Sequence, residues 1–94
     1  MSKKEKTMFI NKTKDAKNNV CGENIAKYRL QLKISQRKLA DRLQMIGLDV
    51  DKNAIQRMES GQRFITDLEL LYLCRALDVT LEQLFEGSAE KLIE

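Results

Sequence analysis

Apolar side chains recur at helical spacing from about Val20 onward and predict two successive amphipathic helices. Their buried faces are predicted to hold Ile25, Tyr28, Leu32, Ile34, Leu39, Ala40, Leu43 and Ile46. Ser35 stands between the two stripes, and its hydroxyl can accept a hydrogen bond from a backbone N–H two or three residues later. It is therefore the predicted N-cap of the second helix, which we expect to end near Gly47.

Three further helices follow, each with its own start signal. Asp51 is the predicted N-cap of a short third helix, and Gly61 marks its end. Thr66 and Thr80 are each followed three residues later by Glu or Gln, which is the capping-box pattern that begins a helix. The apolar positions of these helices are Ala54, Ile55, Met58, Leu70, Leu73, Cys74, Leu77, Leu84 and Phe85.

The pattern as a whole predicts an all-α fold. No segment shows sustained alternation of apolar and polar residues, the chain contains no proline, and no internal repeat is visible. A chain of 94 residues with 43% hydrophobic side chains is long enough for one small core. We therefore expect a single compact five-helix domain over residues 20–94, preceded by an arm over residues 1–19.

The arm differs from the domain in charge. Residues 1–22 carry six lysines and two acidic residues, a net charge of +4, which leaves −1 for residues 23–94. Because residues 1–19 are polar and basic, we expect them to be flexible. Such an arm can bind an anionic polymer or a membrane surface, or it can simply be solvated.

Composition narrows the possible chemistry. No apolar run approaches the ~20 residues that span a bilayer, and the N-terminus lacks the apolar stretch of a signal peptide, which predicts a cytoplasmic protein without a membrane segment. The chain has no histidine, and Cys21 and Cys74 do not form a metal-binding pattern, so free thiols, no metal and no cofactor are expected. No catalytic constellation is visible, which argues against an enzyme.

Three stretches carry a more specific pattern: SQRKLA at 35–40, AIQRMESGQR at 54–63 and LELLYLCRALDVTLEQLF at 68–85. Together they resemble the helix-turn-helix family of phage repressors, Cro and many bacterial regulators, the XRE-type family. The resemblance covers about residues 23–86. It implies that the third helix enters the major groove of DNA while the second crosses the phosphate backbone.

The resemblance also implies roles for individual residues. The positions that contact bases fall on Lys52, Asn53, Gln56 and Arg57, whose side chains can pair with base edges. The candidate phosphate contacts are Gln36, Arg37, Ser60, Gln62 and Arg63. Gln36 matches a glutamine that can also support a neighbouring side chain. The alternative for each of these polar residues, taken singly, is an ordinary solvated surface position.

The family also has a salt bridge between the first helix and the end of the third, which falls here on Arg29 and Glu59. Cys74 stands where the family usually has alanine, so we expect a small core residue. Lys33 replaces the usual glycine after helix 1, and Ile65 replaces a common proline. The stretch QMIGLDV lengthens the path from helix 2 to helix 3, so we expect helix 2 to reach Ile46 and a looser loop to continue through Asp49.

These observations favour a sequence-specific DNA-binding transcriptional regulator, acting as a repressor on double-stranded DNA. A homodimer is expected, because one such domain buries little surface on a duplex. Its predicted interface consists of Leu81, Leu84, Phe85, Leu92 and Ile93. The alternative is a protein-interaction module or antitoxin that uses the same fold with weak or no DNA binding, since fold alone does not settle function.

Overall fold

Five α-helices pack around one core in the part of the chain that the structure describes. The computed structural model describes residues 11–93, and no strand occurs in that range. The helices are α1 (Gly22–Gln31), α2 (Gln36–Met45), α3 (Lys52–Glu59), α4 (Asp67–Leu77) and α5 (Leu81–Leu84), and a 3-10 turn (Ser88–Lys91) follows them. The prediction of an all-α, five-helix fold is confirmed.

Side-chain caps begin four of the helices at the predicted residues. Ser35 Oγ accepts from the Lys38 backbone N–H at 3.0 Å, and Asp51 Oδ1 accepts from that of Ala54 at 2.8 Å. Thr66 and Thr80 both form complete capping boxes. Each cap satisfies a backbone donor that the first turn of a helix leaves without a partner, so helix boundaries follow directly from the sequence here. Helix α1 differs, because Cys21 supplies no side-chain cap.

The core is drawn from all five helices. Its fully buried large side chains are Ile25, Leu39, Leu43, Ile55, Met58, Leu73, Leu77 and Leu84. The predicted inner faces of α2 and α3 are therefore confirmed. Leu32 is an error in the predicted core: it lies at the C-cap of α1, beyond the helical stripe, and is 39% exposed.

The connection between α2 and α3 is longer than a tight turn but is not loose. Helix α2 ends at Met45 with Ile46 as its C-cap, and Gly47 takes a φ of +110° that other residues rarely adopt. The Leu48 N–H donates to the Leu43 carbonyl at 2.9 Å, and Gln44 Nε2 donates to the Val50 carbonyl at 2.7 Å. Val50 is itself buried. The expectation of a looser loop was wrong, because these bonds and this anchor fix its path.

The turn between α1 and α2 keeps the left-handed residue that glycine usually supplies. Lys33 has a φ of +60°, a conformation that costs a non-glycine residue roughly 1–2 kcal/mol. Its backbone N–H donates to the Leu30 carbonyl at 2.9 Å. The geometry of the turn is thus retained despite the missing glycine.

Residues 12–19, here called the N-terminal segment, pack against the helices. Thr13 is buried, and Asn18 and Asn19 donate hydrogen bonds to carbonyls that follow α3. The sequence predicted a flexible arm as far as residue 19, and the structure differs from that expectation here because of these tertiary bonds. The part of the predicted arm in residues 1–10 lies outside the described residues.

Candidate nucleic-acid interface

One face of α3 presents four long polar side chains to solvent. Lys52, Asn53, Gln56 and Arg57 are all exposed. Their spacing of one, three and one residues places them on one side of the helix, while Ala54, Ile55 and Met58 are buried on the other. The buried side therefore determines which side chains point outward.

The end of α3 is held by an ion pair. Arg29 Nε lies 2.6 Å from Glu59 Oε2, and Arg29 Nη2 lies 3.1 Å from Glu59 Oε1. The two side chains are only 11% and 8% exposed. Arg29 Nη1 also donates to the Ile34 carbonyl at 2.8 Å. A carboxylate at the C-terminal end of a helix is unfavourable on its own, so the guanidinium offsets that cost while it joins α1 to α3.

Gln36, a predicted phosphate contact, belongs to the same cluster. Its Nε2 donates to Glu59 Oε1 at 2.9 Å, which joins the first residue of α2 to the last residue of α3. One amide N–H and the amide oxygen of Gln36 are left over, and its backbone N–H lies at a helix N-terminus, which favours anions. The structure therefore places Gln36 as a support for α3, with groups still available for a phosphate.

Arg37 lies beside the outward face of α3. It is exposed and borders a shallow depression between the starts of α2 and α3, together with Asp41, Asp51, Lys52 and Asn53. Two carboxylates thus accompany the basic groups in this depression. The positive potential there is weaker than the basic residues alone would give.

The other three predicted phosphate contacts follow α3 directly. Arg63 donates from Nη1 and Nη2 to Glu69 at 3.0 and 2.9 Å, so its guanidinium is held at the start of α4. These hydrogen bonds from Arg63 lower the pKa of the Glu69 carboxyl. Ser60 Oγ donates to the Arg57 carbonyl at 3.2 Å. The Gln62 side chain is exposed.

Sequence reasoning missed the contacts between the N-terminal segment and the end of α3. Asn19 Nδ2 donates to the carbonyls of Met58 and Arg63 at 3.0 and 2.8 Å. Asparagine before a helix is a known capping residue, and Asn19 Oδ1 accepts from the Gly22 N–H at 2.8 Å. This local role of Asn19 before α1 could have been predicted from the sequence. The bonds across 39 and 44 residues leave no periodic trace in the sequence.

The two thiols lie away from this surface chemistry. Cys21 is buried, and that burial raises the pKa of its thiol to about 11. Burial also raises the pKa of the Cys74 thiol, which is half-buried. Among residues 11–93 no helix has both the length and the apolar character that crossing a bilayer requires.

Comparison with protein families assigns the fold. The family model described as Helix-turn-helix matches residues 25–84, which run from α1 to the last residue of α5. The chain belongs to the helix-turn-helix family. No curated protein and no solved structure matched the chain. The family is one of DNA-binding regulators, and the two helices of its motif correspond to α2 and α3 in this chain.

Proposed function

We propose that this helix-turn-helix protein is a sequence-specific transcriptional regulator that acts in the cytoplasm as a repressor, by occupying an operator. The observation that carries the proposal is the outward face of α3. Its four exposed side chains lie on the helix that corresponds to the second helix of the motif, and in DNA complexes of helix-turn-helix proteins that helix lies in the major groove. Occupying an operator needs only this surface and the backbone contacts beside it.

The side chains of α3 suit the base edges of the major groove. Arg57 and Lys52 can donate to the O6 and N7 acceptors of guanine. Asn53 and Gln56 can each pair with the N6 donor and N7 acceptor of adenine. We assign these four residues to base contacts, and Gln36, Arg37 and Gln62 to phosphate contacts that set the register of the helix.

Selection from random duplexes tests this function. Bound sequences should converge on one motif, and affinity for that motif should fall steeply as salt rises, because phosphate contacts release counterions. Absence of duplex binding even at low salt would contradict the proposal. That outcome would favour a protein-interaction module or antitoxin with the same fold.

We further propose that the protein binds DNA as a homodimer, which would read half-sites about 10–10.5 base pairs apart. The predicted interface needs revision. Leu84 is fully buried in its own core. Leu92 and Ile93 are 61% and 41% exposed, but Leu92 lies beside the N-terminal segment, and we leave both residues out of the revised interface. Leu81 and Phe85 are 42% and 39% exposed and adjoin three leucines of α4, of which Leu68 and Leu71 are exposed. We define the α4–α5 patch as Leu68, Leu71, Leu81 and Phe85.

The substitution Leu71→Glu tests this interface. Leu71 is 56% exposed, so the variant should fold normally. Losing one leucine from an interface forfeits about 1.5–3 kcal/mol, so the dimer dissociation constant should rise about tenfold or more. Analytical ultracentrifugation measures the change. Leu30→Glu is the matched control, because Leu30 is 62% exposed on α1. An unchanged dimer in Leu71→Glu, or a wild type that is monomeric on DNA, would contradict the assignment.

A further inference from the structure

The N-terminal segment is fastened to the loop that follows the recognition helix. The Asn18 backbone N–H donates to the Gly61 carbonyl at 2.7 Å, and Asn18 Nδ2 donates to the Gln62 carbonyl at 2.7 Å. Lys17 Nζ donates to the Ser60 carbonyl at 2.9 Å. These bonds satisfy three consecutive carbonyls, that of the C-cap residue of α3 and those of the next two residues. The segment therefore lies against the part of the chain that leaves α3.

Asn19 joins the segment, α1 and α3 at a single point. Its amide donates to the Met58 and Arg63 carbonyls, and its side-chain oxygen accepts from the Gly22 N–H. Every polar atom of this amide group thus has a partner. These three hydrogen bonds of Asn19 hold the segment in a fixed position relative to α3.

The segment is also folded on itself. Thr13 is 6% exposed, and its Oγ1 accepts from the backbone N–H groups of Asp15 and Lys17 at 3.3 and 3.0 Å. The Thr13 N–H donates to the Lys17 carbonyl at 2.8 Å. The Lys14 N–H donates to the Lys91 carbonyl at 2.8 Å, which ties the turn to the C-terminal part of the domain. A turn held in this way presents its side chains from defined positions.

Three of those side chains are lysines. Lys12, Lys14 and Lys17 are all exposed, and Asp15 is the only acidic residue in residues 12–19. Lys12 Nζ donates to Asn18 Oδ1 at 2.7 Å, and Lys17 Nζ reaches Ser60, so two of the ammonium groups are drawn toward the loop after α3. An ammonium group has three donors, and each of these bonds uses one.

These three lysines lie next to the loop that follows α3, residues 60–66, which contains one basic residue. Arg63 is the arginine of that loop, and Glu69 holds its guanidinium through two hydrogen bonds. In a protein whose recognition helix lies in the major groove, phosphates flank both ends of that helix. The lysines of the segment add exposed cations beside the C-terminal end of α3.

We propose that residues 12–19 are a second, built part of the DNA interface, in which Lys12, Lys14 and Lys17 contact backbone phosphates beyond the C-terminal end of α3. The inference rests on the proposed function. In this arrangement the lysines contribute affinity at any sequence, while the face of α3 supplies discrimination. Asn18 and Asn19 are positioning residues, because they hold the turn that carries the lysines.

The test is the triple variant K12Q/K14Q/K17Q in the full chain. Its binding to the selected duplex and to a scrambled duplex is measured over a range of salt concentrations, beside wild type. Each lost phosphate contact should lower the slope of log affinity against log salt by about 0.9, so the slope should fall by about 2–3 units. Affinity should fall by a similar factor on both duplexes, and the thermal unfolding midpoint should change only slightly, because the Lys12 and Lys17 hydrogen bonds that the variant removes are exposed.

The matched control is K27Q, because Lys27 is an exposed lysine of α1 that pairs with Glu86 on the C-terminal side of the domain. It should leave the slope unchanged. A triple variant that retains the full wild-type slope would overturn this inference while leaving the proposed function intact. A wild type that binds neither duplex would overturn both. A slope that falls equally in K27Q would show a general charge effect and would also overturn it.

Discussion

Replacing Glu59 by alanine is expected to lower the free energy of unfolding by about 3–5 kcal/mol, because it would leave the guanidinium of Arg29 buried without its carboxylate. Arg29 is 11% exposed at the side chain, so water cannot easily replace the lost partner. Gln36 would lose its partner as well. Chemical denaturation measures the change, and Glu82→Ala on the exposed surface of α5 is the control.

Variants of Arg29 and Glu59 can also separate two effects of this cluster, the stability of the fold and the position of α3. A buried ion pair can often be replaced by apolar residues without loss of stability, so Arg29→Met combined with Glu59→Leu should recover much of the unfolding free energy. DNA affinity should remain low in that double variant, because α3 would no longer be tied to α1 and α2. In a double-mutant cycle with alanine at both positions, a coupling energy near zero would contradict the role given to the bridge.

Replacing Gly22 by alanine is expected to destabilise the protein by about 1–3 kcal/mol, although alanine normally favours a helix over glycine. A Cβ at this position would collide with the Met58 carbonyl oxygen and would lie 2.8 Å from that of Glu59. Both obstacles are backbone atoms at the end of α3, so the two helices would have to move apart. DNA affinity should fall together with stability, because the recognition helix would be displaced.

The control for Gly22→Ala is Glu23→Ala, one residue further along the same helix. Glu23 is exposed and forms only a surface ion pair with Lys91, so its replacement should change stability by no more than about 0.5 kcal/mol. Thermal and chemical unfolding of both variants provide the comparison. A Gly22→Ala variant that is more stable than wild type would show that α1 and α3 are not in close contact.

The starts of four helices could be predicted from the sequence, because each is marked by a capping residue that bonds to a backbone group close to it in the chain. Ser35, Asp51, Thr66 and Thr80 each act within three residues, and all four are N-caps in the structure. The outward face of α3 follows from the same periodicity, since burying Ile55 and Met58 turns Arg57 outward. Family membership required only these patterns and their spacing.

Tertiary hydrogen bonds account for what the sequence did not predict. The predicted phosphate contact of Arg63 stays a prediction, but the pairing of Arg63 with Glu69, six residues away on the next helix, was not predicted. Asn18 and Asn19 satisfy carbonyls more than 35 residues later, and no periodic pattern marks such a bond. Leu84 and Phe85 are adjacent and equally apolar, yet only the fold decides that Leu84 enters the core.

The central claim is that α3 reads base edges, and Arg57→Ala together with Asn53→Ala tests it most directly. Each variant is measured by equilibrium binding to the selected duplex and to a scrambled duplex at one fixed salt concentration. Each should lose about 1–3 kcal/mol of binding free energy on the selected site, relax discrimination at one base position, and bind scrambled DNA almost as wild type does. Both side chains are exposed, so folding should hardly change. Equal losses on the two duplexes would contradict the claim, because they would make these residues phosphate contacts.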